Sequence, residues 1–319
     1  MQQFYGKLPN RQLYNAVQKS MQLCLPHNLR HGTVIQQQQQ RQFAQSGAIQ
    51  MAFDKFEGSN VDTGLTPVIT MHGMFGSKQN WRGLSRALTQ KTKRSIYAVD
   101  ARNHGASPHT TVHDTKHMSA DILHLMKENS ISKTCIMGHS MGGRTAMHFA
   151  LSYPELTERL IVLDISPVSI PKDFSEMTDI FDAMLNIDVS PDLPLSEGRK
   201  QVKEQLSKRI HKETVDFIML NLRKHPETGA FSWACNVELL RNSLTGFGHY
   251  ESVIKNLKPY KGPTTFICGI RSKYMTPDEW PQVKQFFPNA TLHWLYTGHL
   301  VHVEAPEEFL GLVTNFLNE

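Results

Sequence analysis

Ser140 stands in the pattern Gly138-His139-Ser140-Met141-Gly142, where the apolar run from Thr134 ends and a helical pattern begins. A serine hydroxyl is a weak nucleophile unless a base takes its proton as it attacks. A strand–turn–helix setting does two things for such a serine. It holds Oγ out at a sheet edge, and it points the N–H of the next residue, Met141, from a helix N-terminus toward a developing oxyanion. Gly and Ser are also ordinary turn residues, so the chemical reading needs partners elsewhere in the chain.

His299 is the candidate base: it follows the apolar run Thr291–Tyr296 and precedes a helical pattern from about Ala305, which brings it to the same sheet edge. The chain has 16 histidines, so location singles it out rather than residue type. His302 is the nearest competitor and reads as a neighbour. Three carboxylates compete to orient the imidazole. Asp164 ends the run Leu160–Leu163, where a charge is costly without a partner; Asp278 lies in the loop after the next strand; Glu238 lies in a helical region between them. A second oxyanion donor is expected in His72–Trp81, from the N–H of Met74 beside Gly73, with His72 bracing that loop. Asp100 and Arg102 read as braces of a neighbouring turn. His109 and Asp114 resemble an acyltransferase H-x4-D pattern, which is too short to carry weight.

These residues need a sheet to line them up. The runs Pro67–Gly73, Ser95–Gly105, Thr134–Ser140, Arg159–Pro167, Pro263–Ile270 and Thr291–Tyr296 read as short strands, and Trp81–Thr89, Ser119–Glu128 and Met141–Ser152 as helices between them. Nearly continuous apolar strands alternating with helices predict an α/β protein, a parallel sheet covered on both faces. Its site belongs at the carboxyl ends of the strands. The alternation stops between about 171 and 260, which predicts a helical cap with helices near Arg199–Ile210, Glu213–Leu222 and Asn236–Leu244. Phe174, Met177, Phe181, Met184 and Leu185 recur there at helical spacing, as core of the cap and as a wall for an acyl chain.

With 39% hydrophobic and 20% charged residues, the composition is that of a globular chain, and 319 residues bury a sizeable core. No apolar stretch is long enough to span a bilayer. Cys24, Cys135, Cys235 and Cys268 are far apart, which supports neither a disulfide framework nor a zinc site. No His/carboxylate cluster has metal-ligand spacing, so no metal or cofactor is expected. The net charge of +5 is carried by Lys7, Arg11, Lys19, Arg30 and Arg41 in an acid-free leader, leaving the rest neutral and without a basic stripe for nucleic acid. Leu13, Val17 and Met21 share one face of a short helix, and Gln36–Gln40 follow as low-complexity sequence. Residues 1–46 therefore read as a mitochondrial presequence and leader, and 47–319 as the folded domain.

The segments HGMFGSKQNW, VDARNHGASPH, MGHSMGGRTAM, ERLIVLDISPV and GHLVHVEAPEEF, in that order, resemble the α/β-hydrolase superfamily over Ala48–Glu319, most closely its mitochondrial serine esterase and lipase members. The resemblance implies an α/β-hydrolase fold, a mostly parallel sheet with a helical cap after the sixth strand. It implies Ser140 as nucleophile and His299 as base, in the order Ser140…acid…His299. In similar bacterial esterases the acid matches Asp164, with a serine matching Ser272 beside it; elsewhere in the family it matches Glu238. Leu300 stands where relatives usually carry Trp. The substrate class implied is ester lipids, diacylglycerol first, in the mitochondrial matrix, with support of the 2-oxoglutarate dehydrogenase complex and its lipoyl groups. Thioesters would use the same machinery. A hydrolase-fold binding protein without activity is the competing class, and it predicts a lost nucleophile or base.

Overall fold

The computed structural model describes residues 47–168, 175–247 and 249–319, and Ala48–Glu319 form one compact unit. The leader expected at 1–46 lies outside the described residues. The unit begins with β1 (Phe53–Phe56), β2 (Val68–Met71), α1 (Arg82–Thr92), β3 (Ile96–Val99), α2 (Thr115–Glu128), β4 (Thr134–His139), α3 (Met141–Ser152) and β5 (Thr157–Leu163). An insertion follows: α4 (Ser175–Leu185), α5 (Leu195–Leu206), α6 (Lys212–Ile218), β6 (Leu222–Lys224), β7 (Phe231–Trp233), α7 (Val237–Asn242), α8 (Leu244–Phe247) and α9 (Tyr250–Ile254). The chain then returns through β8 (Thr264–Gly269), α10 (Trp280–Phe286), β9 (Ala290–Leu295), α11 (Val301–Glu304) and α12 (Pro306–Asn318).

The main sheet runs β1-β3-β2-β4-β5-β8-β9. Every pairing is parallel except β1 with β3. Successive side chains of a strand point to opposite faces, and both faces are apolar here. Ile69, Ile136 and Val162 pack with Met118 and Ile122 of α2 and Phe149 of α3. Their strand neighbours Val68, Met137 and Ile161 pack with Leu88 of α1 and Phe309 and Val313 of α12. That two-sided burial explains why the strands read as unbroken apolar runs rather than alternating ones.

The cap has its own core, in which Phe181, Val202, Val215 and Leu240 are fully buried. It departs from the expectation in three ways. Counted along the described residues it follows the fifth strand, not a sixth. It is not wholly helical: β6 and β7 form an antiparallel hairpin, each arm too short for any periodicity to show. The helix expected over Glu213–Leu222 ends at Ile218, and a 3-10 turn at Met219–Asn221 leads into the hairpin. Among the described residues no helix is long and apolar enough to cross a membrane.

Candidate active site

Strand register brings the candidate residues into one row. Met71 pairs with Gly138, Gly138 with Val162, and Leu163 with Ile267. The strands therefore end almost level, and the next residues out are His72, Ser140 and Asp164. The ladder continues through two of them: Ser140 N–H donates to Leu163 O and Asp164 N–H to Ile267 O, both at 3.0 Å.

Ser140 bridges β4 and α3 with φ 54° and ψ −114°, a left-handed turn that costs a non-glycine residue about 1–3 kcal/mol. The turn closes only because its flanks lack side chains. A Cβ on Gly138 would lie 2.1 Å from Gly142 O, and one on Gly142 would lie 2.5 Å from Met71 O. Met141 opens α3, so its N–H has no acceptor within the helix. Facing it is the turn after β2. His72 Nε2 accepts from Ala101 N–H at 3.0 Å, so the proton sits on Nδ1, which donates to Gly73 O at 2.8 Å. Gly76 N–H donates to the same oxygen at 2.9 Å. A trans peptide is planar, so the Met74 N–H across that peptide points the other way, and Met74 lines the cavity that holds Ser140.

Asp164 is fully buried, yet both its oxygens are satisfied. Oδ2 accepts from His299 Nδ1 at 2.6 Å and from the Ser272 hydroxyl, and Oδ1 accepts from Gly269 N–H at 2.8 Å. With Nδ1 donating, the Nε2 of His299 is left as the basic nitrogen, and the ring lines the same cavity as Ser140. Tyr274 stacks on the imidazole at 4.0 Å. His139 donates from Nε2 to His299 O at 2.8 Å; burial pushes its pKa well below the usual histidine value, with the neighbouring His299 and His302 acting in the same direction. His302 is a neighbour, buried and stacked on Trp81 at 4.9 Å, with its pKa held down to about 3 by burial.

The other carboxylates lie elsewhere. Glu238 is exposed on α7, away from the cavity lining. Asp278 is exposed in a 3-10 turn, where a bond from Thr276 lowers its pKa. Asp100 braces its turn by accepting from the N–H groups of Lys78 (2.7 Å) and Ala106 (2.9 Å), and Arg102 pairs with buried Asp121. Asp114 caps α2 through His117 N–H at 2.9 Å.

The cavity measures about 560 Å³; Met74, Phe75, Met177, Ile180, Phe217 and Leu244 form an apolar wall, and the charged Arg144, Glu176, Glu213 and Arg271 also line it. Among the described residues of the expected apolar stripe, only Met177 is part of that wall. Phe181 and Met184 are buried in the cap core, Leu185 is exposed, and Phe174 lies outside the described residues. Some groups were invisible in the sequence, Glu304 among them. Glu304 accepts from Gly298 N–H (2.8 Å) and Leu300 N–H (3.3 Å), the amides on either side of His299, and pairs with Arg271 at 3.1 Å. No spacing rule announces a carboxylate that clamps a loop from a one-turn helix.

Residues 66–306 match the family described as the alpha/beta hydrolase fold. The "sn-1-specific diacylglycerol lipase ABHD11" of Danio rerio is 34% identical over 274 residues, which span 84% of this chain and 83% of that one. The Mus musculus protein of the same name is 36% identical over 258 residues, 80% of this chain and 82% of its own. A solved structure, a marine microorganism esterase, superposes with a TM-score of 0.74 at 29% identity, covering 84% of this chain and 100% of that one. Sheet order, the strained serine turn and these likenesses fall on the same stretch of sequence, and the protein is a member of the α/β-hydrolase family.

Proposed function

We propose that the protein is a serine hydrolase that cleaves an acyl ester of a lipid, diacylglycerol foremost, through an acyl-enzyme. One observation carries the reading: the buried Asp164 carboxylate holds His299 Nδ1 at 2.6 Å in the cavity that Ser140 also lines. In the first half-reaction Ser140 Oγ attacks the ester carbonyl and its proton passes to His299 Nε2. Asp164 stabilises the imidazolium that forms. The tetrahedral oxygen takes the N–H groups of Met74 and Met141. Collapse breaks the bond to the alcohol, which leaves with the proton from His299. In the second half-reaction water gives a proton to His299, attacks the acyl-enzyme, and releases the acid with Ser140 restored.

A lipid substrate is supported by the apolar wall of the cavity, whose volume is in the range of small-molecule sites, and by the relatives named as diacylglycerol lipases. The basic, acid-free leader supports import into the mitochondrial matrix, and the family resemblance supports a role beside the 2-oxoglutarate dehydrogenase complex. Recovery of that complex on the tagged protein from matrix extracts tests both; cytosolic protein, or no complex, removes them.

Ser140→Ala is expected to lower ester turnover by about 10⁴–10⁶-fold, leaving only binding and oxyanion stabilisation. A fluorophosphonate probe should label the natural chain and spare the variant. Unchanged hydrolysis by folded Ser140→Ala protein would remove the serine-hydrolase reading, and a natural chain that neither takes the probe nor hydrolyses ester would leave the non-catalytic one in its place.

A further inference from the structure

The residue after Met74 is held from the cap. Phe75 has φ 61°, a left-handed conformation that is an outlier for a bulky side chain. Nothing in the local sequence favours it, so something outside the turn must maintain it. Two cap contacts do. Asn221, 2% exposed in the 3-10 turn before β6, donates from Nδ2 to Phe75 O, and its own carbonyl accepts from Ala234 N–H at 2.9 Å. The Phe75 ring lies 4.7 Å from that of Phe181 and is part of the cap core rather than of the sheet cores. The turn that carries the Met74 N–H is thus gripped at two places. On the sheet side His72 holds Gly73 O, and on the cap side Asn221 holds Phe75 O.

We propose that Asn221 is a positioning residue for the oxyanion hole: through Phe75 it keeps the Met74 N–H aimed at the tetrahedral oxygen, so the cap governs the chemical step as well as the shape of the cavity. The proposal rests on the serine-hydrolase reading above. It predicts a defect realised in the transition state, which lowers kcat and leaves KM nearly unchanged. A cap that only encloses substrate predicts the reverse, a raised KM with kcat kept.

Asn221→Asp keeps the shape but replaces the donating amide with an oxygen facing the Phe75 carbonyl. Removing an oxyanion donor altogether costs about 10²–10³-fold, so displacing one is expected to cost about 10–100-fold in kcat, with KM within about twofold. Affinity for a trifluoromethyl ketone, which forms a tetrahedral adduct with the serine, should fall by the same factor. Asn221→Ser retains a hydroxyl donor and adds no charge; it is the variant to use if the aspartate disrupts folding, and it is expected to show the same split to a smaller degree. Val202→Ala, which opens a gap in the cap core on α5 and touches neither the Asn221 amide nor its bond to Phe75, should lower the melting temperature without the split. If folded Asn221 variants keep kcat and ketone affinity, or lose activity only through KM, the proposal is overturned. If the natural chain takes no fluorophosphonate and Ser140→Ala hydrolyses normally, the reading of Ser140 as the nucleophile is what has failed.

Discussion

A carboxylate with no access to water is costly unless donors surround it, and Asp164 has three: an imidazole N–H, a hydroxyl and a backbone amide. Asp164→Asn is therefore expected to lower kcat by about 10⁴-fold, because the amide presents a donor where Nδ1–H needs an acceptor and turns the ring to the wrong tautomer. Glu238→Gln, on the exposed side of α7, should leave ester turnover within about twofold. Parallel rate measurements on the two variants decide the acid, and a larger loss at Glu238 would falsify the assignment. The places of Ser140 and Asp164 were legible because each directly follows an apolar strand, and that of His299 because it lies in the short loop four residues past the end of β9, so the chemical residue and the element placing it are close in sequence. Glu304, His139 and Asn221 were not, because each acts on a backbone group that only the folded loops bring near.

Among the elements, the serine turn has the least slack. A methyl at Gly138 meets the Gly142 carbonyl at 2.1 Å, backbone against backbone, so α3 must shift off the sheet to admit it. Gly138→Ala is expected to lose about 3 kcal/mol in urea unfolding together with fluorophosphonate labelling. Gly311, in the interior of α12 with nothing within 4 Å of an added Cβ, provides the contrast: Gly311→Ala should gain about 0.5–1 kcal/mol from helix propensity alone. The buried strands were readable from their length and apolarity. The arms of the β6–β7 hairpin, three residues each, were not, and neither was β1, a four-residue edge strand with only partial burial. In such short pieces, pairing partners decide the conformation, and local pattern does not.

At the scale of the whole molecule, burial has made most of the central histidines poor bases. Burial holds His113 and His302 to about 3 and His148 to about 4, against an ordinary value of 6.5. The unfolded chain therefore binds protons that the folded chain refuses. Their contribution to stability is complete above pH 6.5 and is lost as pH falls toward the folded values, at up to about 1.4 kcal/mol per unit for each histidine. Unfolding free energy should drop by about 4 kcal/mol between pH 7 and 5.5; a flat profile over that interval would show that these rings stay accessible to protons. The plan of the sheet has another consequence. The insertion departs just beyond Leu163 and rejoins at Thr264, on strands that lie side by side with Leu163 paired to Ile267. The cap elements α4 to α8, which fill a core of their own, thus form a detachable module, and evolution or an engineer can exchange them for a different lid while Asp164 and the strand ends beneath are kept. Any replacement inherits one obligation: it must bring its own hand to hold Phe75, or the new lid will admit new substrates to a slower enzyme.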